Sequence, residues 1–360
     1  MRQLKKAVSC CELSGHIDLQ EPRYEVGNYL TLKLRLAASQ SPTPFVTKAQ
    51  ILKCFLPFTQ SQVMLVRLSE PARDLDGEYV VKLYNRRYMS SSRQHKKSPE
   101  WSPTLEKDYR LYTVQRSYLK WTSSTNSSPK TSPGTSPTSS FTSSMTNSTS
   151  STASEHMQNE EEYQEQCADM YQTELEVYNR LQDIQGEDVP RLIAQVEVPE
   201  YYPFKIDITS HSGSNADLYK HSTPGILLQH IANAFTLADL YNPDVPPRPP
   251  REAFQYLGDE AISIIDKIRS RGILNTDVAP RNSLVCWSGF CRRWKVFLMD
   301  FGHCFLREDE SDKEWRGQQF EEDEEGAMGL ALSQGIKKHR GGGYYYYDSP
   351  YKQAIQKEFG

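Results

Sequence analysis

Two short stretches concentrate the side chains able to do chemistry. In Asn275-Thr276-Asp277-Val278-Ala279-Pro280-Arg281-Asn282 an acid, a base and an amide share one tight loop. In Phe297-Leu298-Met299-Asp300-Phe301-Gly302 a lone Asp ends an apolar run, just before a Phe-Gly turn. Between them lie Ser283-Leu284-Val285-Cys286-Trp287, Ser288-Gly289 and Trp294-Lys295-Val296. Two apolar runs about a Gly-containing turn have the pattern of a β-hairpin. Such a hairpin carries Asn282 and Asp300 at its outer ends and so brings them close. An amide oxygen and a carboxylate converging beside a second carboxylate, Asp277, suit a hard cation such as Mg2+ with phosphate attached. A polar loop and an unrelated surface hairpin would account for either match alone. Both together, preceded by an amphipathic helix, favour a shared site.

Several elements must hold that site. Phe254, Leu257, Ala261, Ile264, Ile265 and Ile268 recur at helical spacing and predict a helix ending at Gly272, directly before the loop. After the Asp76-Gly77 turn, Glu78 to Tyr84 reads as a strand, with Lys82 inside an apolar, β-branched run. A lysine there either meets a partner or packs its stem and carries its head to water. Glu160 to Gln185 is helix-like, with Cys167, Met170, Tyr171, Glu174, Val177, Tyr178 and Leu181 in one stripe and Gly186 as its stop. Glu174 is the only acid of that stripe, since Glu176 points away. A buried acid needs a cation, and Lys82 is the available one. Ala49 to Leu56 and Gln62 to Leu68 are strand-like runs about a turn, Pro57 to Ser61, that contains no glycine. Tyr29 to Leu36 alternates like a half-buried strand, either leading the same sheet or attached elsewhere.

Asp277-x-x-x-x-Asn282 followed by Asp300-Phe301-Gly302 resembles the catalytic core of the protein-kinase-like superfamily. The wording from Asp277 to Asn282, with Val296 to Gly302, is similar to the fungal kinase-like domain proteins, relatives of the aminoglycoside phosphotransferases. The resemblance covers about Lys48 to Gly302. It implies an α+β, two-lobed fold: a small antiparallel-sheet lobe with one helix, and a reduced, mainly helical large lobe. It also implies ATP and Mg2+ as cofactors. Asp277 would then be the base for a hydroxyl acceptor, and Asn282 and Asp300 the metal ligands. Lys82 would reach the α/β-phosphates, oriented by Glu174. Pro224 to Ile231 resembles the last small-lobe strand entering the hinge, where backbone groups of Gln229, His230 and Ile231 would meet an adenine edge. His230 read by itself is a solvated residue.

The chain departs from the family pattern in three places. The turn expected over the phosphates lacks the glycines that let backbone N–H groups approach an anion, leaving Thr59 and Ser61 hydroxyls as partial substitutes. Asn275 stands where the family has a histidine. Ala279 stands where serine/threonine kinases have a lysine, with Arg281 two positions later. Arg281 either neutralises the transferring phosphoryl charge or pairs with Asp277.

On this reading residues 1–47 are an unassigned extension, 48–231 the small lobe, 232–336 the reduced large lobe and 337–360 a flexible tail. Residues 122–154 are almost all Ser, Thr, Pro, Asn or Gly and are expected to be a disordered insert within the small lobe. Ser128-Pro129, Ser132-Pro133 and Ser136-Pro137 could be phosphorylated, although an inert spacer accounts for them as well. The acidic run Glu308 to Glu325 reads as a solvated surface. A net charge of −4 gives no reason to expect nucleic acid or an anionic membrane as partner. Seven scattered cysteines without paired-CxxC spacing read as free thiols in a reducing compartment. No run is long and apolar enough for a membrane span, and the basic start is too short in its apolar part for a signal sequence. Cytosol or nucleus is the expected location. Two functions fit: a phosphotransferase acting on an unidentified hydroxyl acceptor, or a pseudokinase binding a nucleotide or a protein partner without efficient transfer.

Overall fold

The computed structural model describes residues 24–37, 43–125, 149–199, 222–244, 249–289 and 291–360. Alternating apolar residues make six strands that close on one another. These are β1 (Tyr29–Leu36), β2 (Phe45–Cys54), β3 (Gln62–Glu70), β4 (Leu75–Leu83), β5 (Leu192–Pro199) and β6 (Ser222–Gln229). They form an antiparallel barrel in the order β1-β2-β3-β4-β6-β5. Leu30, Leu32 and Leu34 of β1 and Met64, Val66 and Leu68 of β3 belong to its core. Tyr29–Leu36 is therefore a leading strand. It pairs with β2 on one side and β5 on the other, and so closes the expected antiparallel sheet, leaving no open edge.

Among the described residues three helices accompany the barrel where one was expected: α1 (Ser90–His95), α2 (Pro103–Thr125) and α3 (Thr149–Arg180). Arg86, Arg87 and Arg93 are buried. They meet Glu106 of α2 and Glu160 of α3, which ties these helices to the end of β4. Residues 122–125 and 149–154, expected to be disordered, are helical ends, whereas 126–148, with the Ser-Pro pairs, lie outside the described residues.

A second core gathers on α4 (Ala253–Arg269), whose buried residues include the predicted Phe254, Leu257, Ala261, Ile264, Ile265 and Ile268. Beside it lie a sheet of β7 (Phe235–Thr236), β9 (Ser283–Ser288) and β10 (Arg293–Leu298), and a two-stranded pair of β8 (Ile273–Asn275) with β11 (Cys304–Leu306). The predicted hairpin is β9–β10, with Leu298 opposite Ser283.

After Gly302 come α5 (Asp312–Glu322), α6 (Glu324–Arg340) and α7 (Pro350–Phe359). The expected flexible tail is packed. Tyr344 and Ile355 are buried, and the Tyr344 ring lies so close to Gly258 of α4 that a Cβ there would come within 2.2 Å of it. The acidic run is corrected likewise. Trp315, Glu324 and Glu325 are buried, and Glu325 accepts the Ser349 N–H at 2.7 Å and its hydroxyl at 2.5 Å. Among the described residues no helix is long and apolar enough to cross a membrane.

Candidate active site

Lys82 reaches its position because Gly225 lets two strands approach. Leu83 and Gly225 are paired between β4 and β6, and a Cβ at Gly225 would lie 2.4 Å from the Lys82 carbonyl oxygen. Lys82 is 6% exposed. Its Nζ donates to Glu174 Oε2 at 2.5 Å and to Asp300 Oδ1 at 2.6 Å. The early lysine, the helix acid and the late acid therefore meet at one ammonium. Burial by itself would lower the lysine pKa, but Asp300 and Glu174 outweigh it and raise it. Lys82 in turn holds the Asp300 carboxyl below its usual range, against the opposing effect of burial. An ammonium has three N–H donors, so two carboxylates leave one for a further anion.

Asp300 turns the chain with φ +69°, a left-handed conformation that Asp tolerates better than most residues. Phe301 behind it is buried edge-on against Tyr178 of α3, with ring centroids 5.6 Å apart. The hairpin does what its sequence implied: Met299 N–H donates to Asn282 O at 3.0 Å, so Asn282 and Asp300 flank one short crossing.

Asp277 sits in a network of local bonds. Its N–H donates to Asn275 Oδ1 at 2.9 Å, and Arg281 Nη2 donates to its Oδ1 at 2.5 Å. Asn282 Nδ2 donates both to the Asp277 carbonyl at 2.8 Å and to its Oδ2 at 3.0 Å. Of the two alternatives for Arg281, pairing with Asp277 is the one formed here. Asn282 spends its Nδ2 on Asp277, and an amide keeps its Oδ1 as an acceptor. That oxygen and the second carboxylate oxygen of Asp300 are hard donors of the kind Mg2+ takes alongside water and phosphate, so the donor set fits the ion.

The residues expected at a hinge are differently engaged. Gln229 N–H donates to Arg191 O at 2.9 Å, and Gln229 Oε1 accepts from Arg191 N at 3.2 Å, so this amide is committed to the barrel. His230 Nδ1 lies 3.4 Å from Glu78 Oε2, and Ile231 is half-buried just past β6. Gln229 stands three residues along β6 from the partner of Lys82, about 10 Å at strand spacing.

Three participants are new. The Tyr84 hydroxyl donates to Glu174 Oε2, and burial, reinforced by that carboxylate, raises its pKa well above the ordinary value. Its place two residues after Lys82, on the same face of the chain, was the available signal. Glu324 of α6 accepts the Asn275 N–H at 2.7 Å, so the start of the Asn275–Asn282 loop is held from a distant helix. Burial pushes the Glu324 carboxyl up to about 8. The third is a contact between stretches far apart in sequence: Gln60 Oε1, on the glycine-free turn, lies 2.6 Å from His303 Nε2, immediately after Gly302.

No family model matches the sequence, and no curated protein matches it. Solved structures with a detectable likeness include WaaP in complex with acyl carrier protein, at 11% identity and a TM-score of 0.35, over 85% of this chain and 82% of that one. Another is the PknI kinase domain of Mycobacterium tuberculosis, at 13% identity and a TM-score of 0.34, over 86% and 82%. Likenesses at this level assign neither a family nor an activity to the chain.

Proposed function

We propose that this chain is a protein-kinase-like phosphotransferase using ATP and Mg2+, its barrel and helical part serving as the two lobes. The observation that carries the reading is Lys82 bonded at once to Glu174 and Asp300, residues drawn from β4, α3 and the Asp-Phe-Gly turn. A buried lysine held by two acids, near an amide and a carboxylate that can supply oxygen donors, would suit a polyphosphate and its divalent ion. Asn282 and Asp300 would hold the metal, which when bound neutralises phosphate charge. Lys82 would use its remaining donor on a phosphate oxygen, and Glu174 would keep the ammonium aimed. Asp277 would take the proton of the acceptor hydroxyl as that oxygen bonds to the γ-phosphorus and ADP leaves. Arg281, paired with the Asp277 carboxylate, would offset charge on the transferring group.

A second reading, a nucleotide-binding pseudokinase, is favoured by two observations. Arg281 and Asn282 occupy both Asp277 oxygens, and the turn from Pro57 to Ser61 has no glycine with which to grip phosphates. Thermal unfolding with ATP alone and with Mg·ATP, followed by a turnover assay, separates the readings. A Mg-dependent rise in Tm with turnover abolished by Asp277→Ala supports the phosphotransferase, and the variant should still bind nucleotide. A rise without turnover supports the pseudokinase. No rise in either condition refutes both.

A further inference from the structure

The inner face of α3 carries two buried acids, not one. Glu160, Tyr163, Cys167, Met170 and Glu174 follow one another at three- and four-residue steps, and all five are at most 5% exposed. Tyr163, Cys167 and Met170 pack with Tyr84 and Met89 in a small apolar cluster of their own. An acid therefore stands at each end of an apolar stripe, about 21 Å apart at helical rise. The cations that meet them come from one continuous piece of chain. Lys82 and Tyr84 take Glu174, while Arg86 and Arg93, just beyond, take Glu160.

The second pairing is built for direction. Arg93 grips Glu160 with both ends of its fork, Nη1 to Oε1 at 2.5 Å and Nη2 to Oε2 at 3.0 Å, while its guanidinium lies 4.8 Å from the Tyr163 ring centre. Arg86 donates to Glu160 through one nitrogen and to Glu106 of α2 through the other, the latter at 2.5 Å. Trp101 Nε1 also donates to Glu106, at 3.0 Å. Burial works against that carboxylate, but Arg86, Arg87 and Arg110 bring its pKa down to about 2. Buried ion pairs add little net stability, because desolvation offsets their attraction, yet a single broken one is costly. What such pairs supply is discrimination between arrangements. Turning α3 by one residue or sliding it by a turn would strand both acids at once in apolar surroundings.

We infer that Glu160, gripped by Arg86 and Arg93, is a positioning residue that locks the register of α3 and so delivers Glu174 to Lys82. Through Glu106 the lock includes α2, so displacement of α2 reaches the Lys82 site by way of α3. The mechanical part stands on the geometry alone. Its consequence for nucleotide binding rests on the function proposed above.

Cys167, buried midway along the stripe, reports on the lock in the full chain. Alkylation by iodoacetamide, resolved by peptide mass, should be roughly tenfold or more faster at Cys167 in Glu160→Gln, as expected for a local opening. Cys286, half-buried on β9, which pairs with β7 and β10 and not with the barrel, should keep its wild-type rate. The Kd for Mg·ATP should weaken roughly tenfold in the same variant. Glu162→Gln, which removes an exposed acid of the same helix paired to Lys96, should change none of these. A folded Glu160→Gln with Cys167 still protected overturns the lock, and so does a rise at both thiols together, which marks general loosening. If Glu160→Gln does not fold, Arg93→Lys keeps the charge but loses the fork. Faster labelling at Cys167 with Cys286 unchanged in that variant supports the lock, and unchanged labelling at Cys167 overturns it. A wild-type chain that binds no Mg·ATP sinks the nucleotide reading, while the alkylation comparison still decides the lock.

Discussion

The ammonium of Lys82 serves two carboxylates of unequal exposure, Glu174 being fully buried and the Asp300 side chain 41% exposed. Removing the cation therefore has unequal effects. Asp300 can turn to water, but Glu174 is left with Tyr84 as its only donor among the described residues. Lys82→Met should thus cost about 3 kcal/mol in urea unfolding, chiefly as the penalty of an uncompensated buried charge. Adding Glu174→Leu should recover more than half of that loss, because an apolar pair suits the same surroundings. Equal or greater destabilisation in the double variant would mean that Glu174 stabilises the fold independently of Lys82. The two hydroxyls nearest this carboxylate in kind also differ. Tyr84 donates to Oε2, whereas Glu174 Oε1 and the Tyr178 hydroxyl are buried with no hydrogen-bond partner among the described residues. One side of the acid is fully engaged and the other is not, which leaves Lys82 and Tyr84 to fix its direction.

Elements place these residues, and some of that placement was legible in the sequence. Asp277, Asn282 and Asp300 were readable because a hairpin pattern is local and fixes which residues end up side by side. Glu174 stood out as an acid on an apolar stripe. Glu160, at the head of the same stripe, did not, because its partners Arg86 and Arg93 lie some seventy residues away and only the fold buries them beside it. Barrel closure was equally hidden, since β1 meets β5 through pairs such as Lys33 with Glu197 that no local pattern encodes. At this scale Gly225 is a sharp test. Gly225→Ala would push a methyl into the Lys82 carbonyl and the Leu83 side chain, costing about 1–3 kcal/mol as overpacking and moving Lys82 away from its acids. Chemical denaturation reads the first effect and the loss of any Mg·ATP thermal shift the second. Glu324 gives the pH test. Its folded pKa of about 8 exceeds the ordinary 4.5, so the folded state holds the proton more tightly than the unfolded one. Stability from this group is fully present below pH 4.5 and is lost as pH rises through 8. Glu324→Gln keeps an oxygen for the Asn275 N–H and removes the titration. Relative to wild type it should gain stability between pH 5 and pH 9, by at most on the order of 4 kcal/mol. A pH-independent difference between the two would remove Glu324 as the titrating group.

In the whole molecule, the chain after Gly302 reads from sequence as an acidic surface followed by a Gly/Tyr tail, and it turns out to brace the loop that carries Asn275 and Asp277. Periodicity missed this because the bracing contacts are single and distant. Tyr344 settles on Gly258, Ser349 on Glu325, and Glu324 on the Asn275 amide. They form a route from the C-terminal segment to Asp277, whose own N–H is held by Asn275. Tyr344 contributes through its ring and not its hydroxyl, which is buried with no hydrogen-bond partner among the described residues. Tyr344→Phe should accordingly be neutral or slightly stabilising, whereas Tyr344→Ala should cost about 3–5 kcal/mol. Deleting residues 341–360 removes that ring together with both Ser349 bonds, and leaves Glu325 buried without them. The barrel core lies elsewhere, in β1 to β6, and makes none of these contacts. Amide exchange should therefore separate the two regions. In the shortened chain the N–H groups of Asn275 and Asp277 should exchange at least tenfold faster, while those of Leu65 and Val66 in β3 keep their protection. Loss of protection at all four together would show that the C-terminal segment supports the fold as one cooperative unit, with no separate route to the loop.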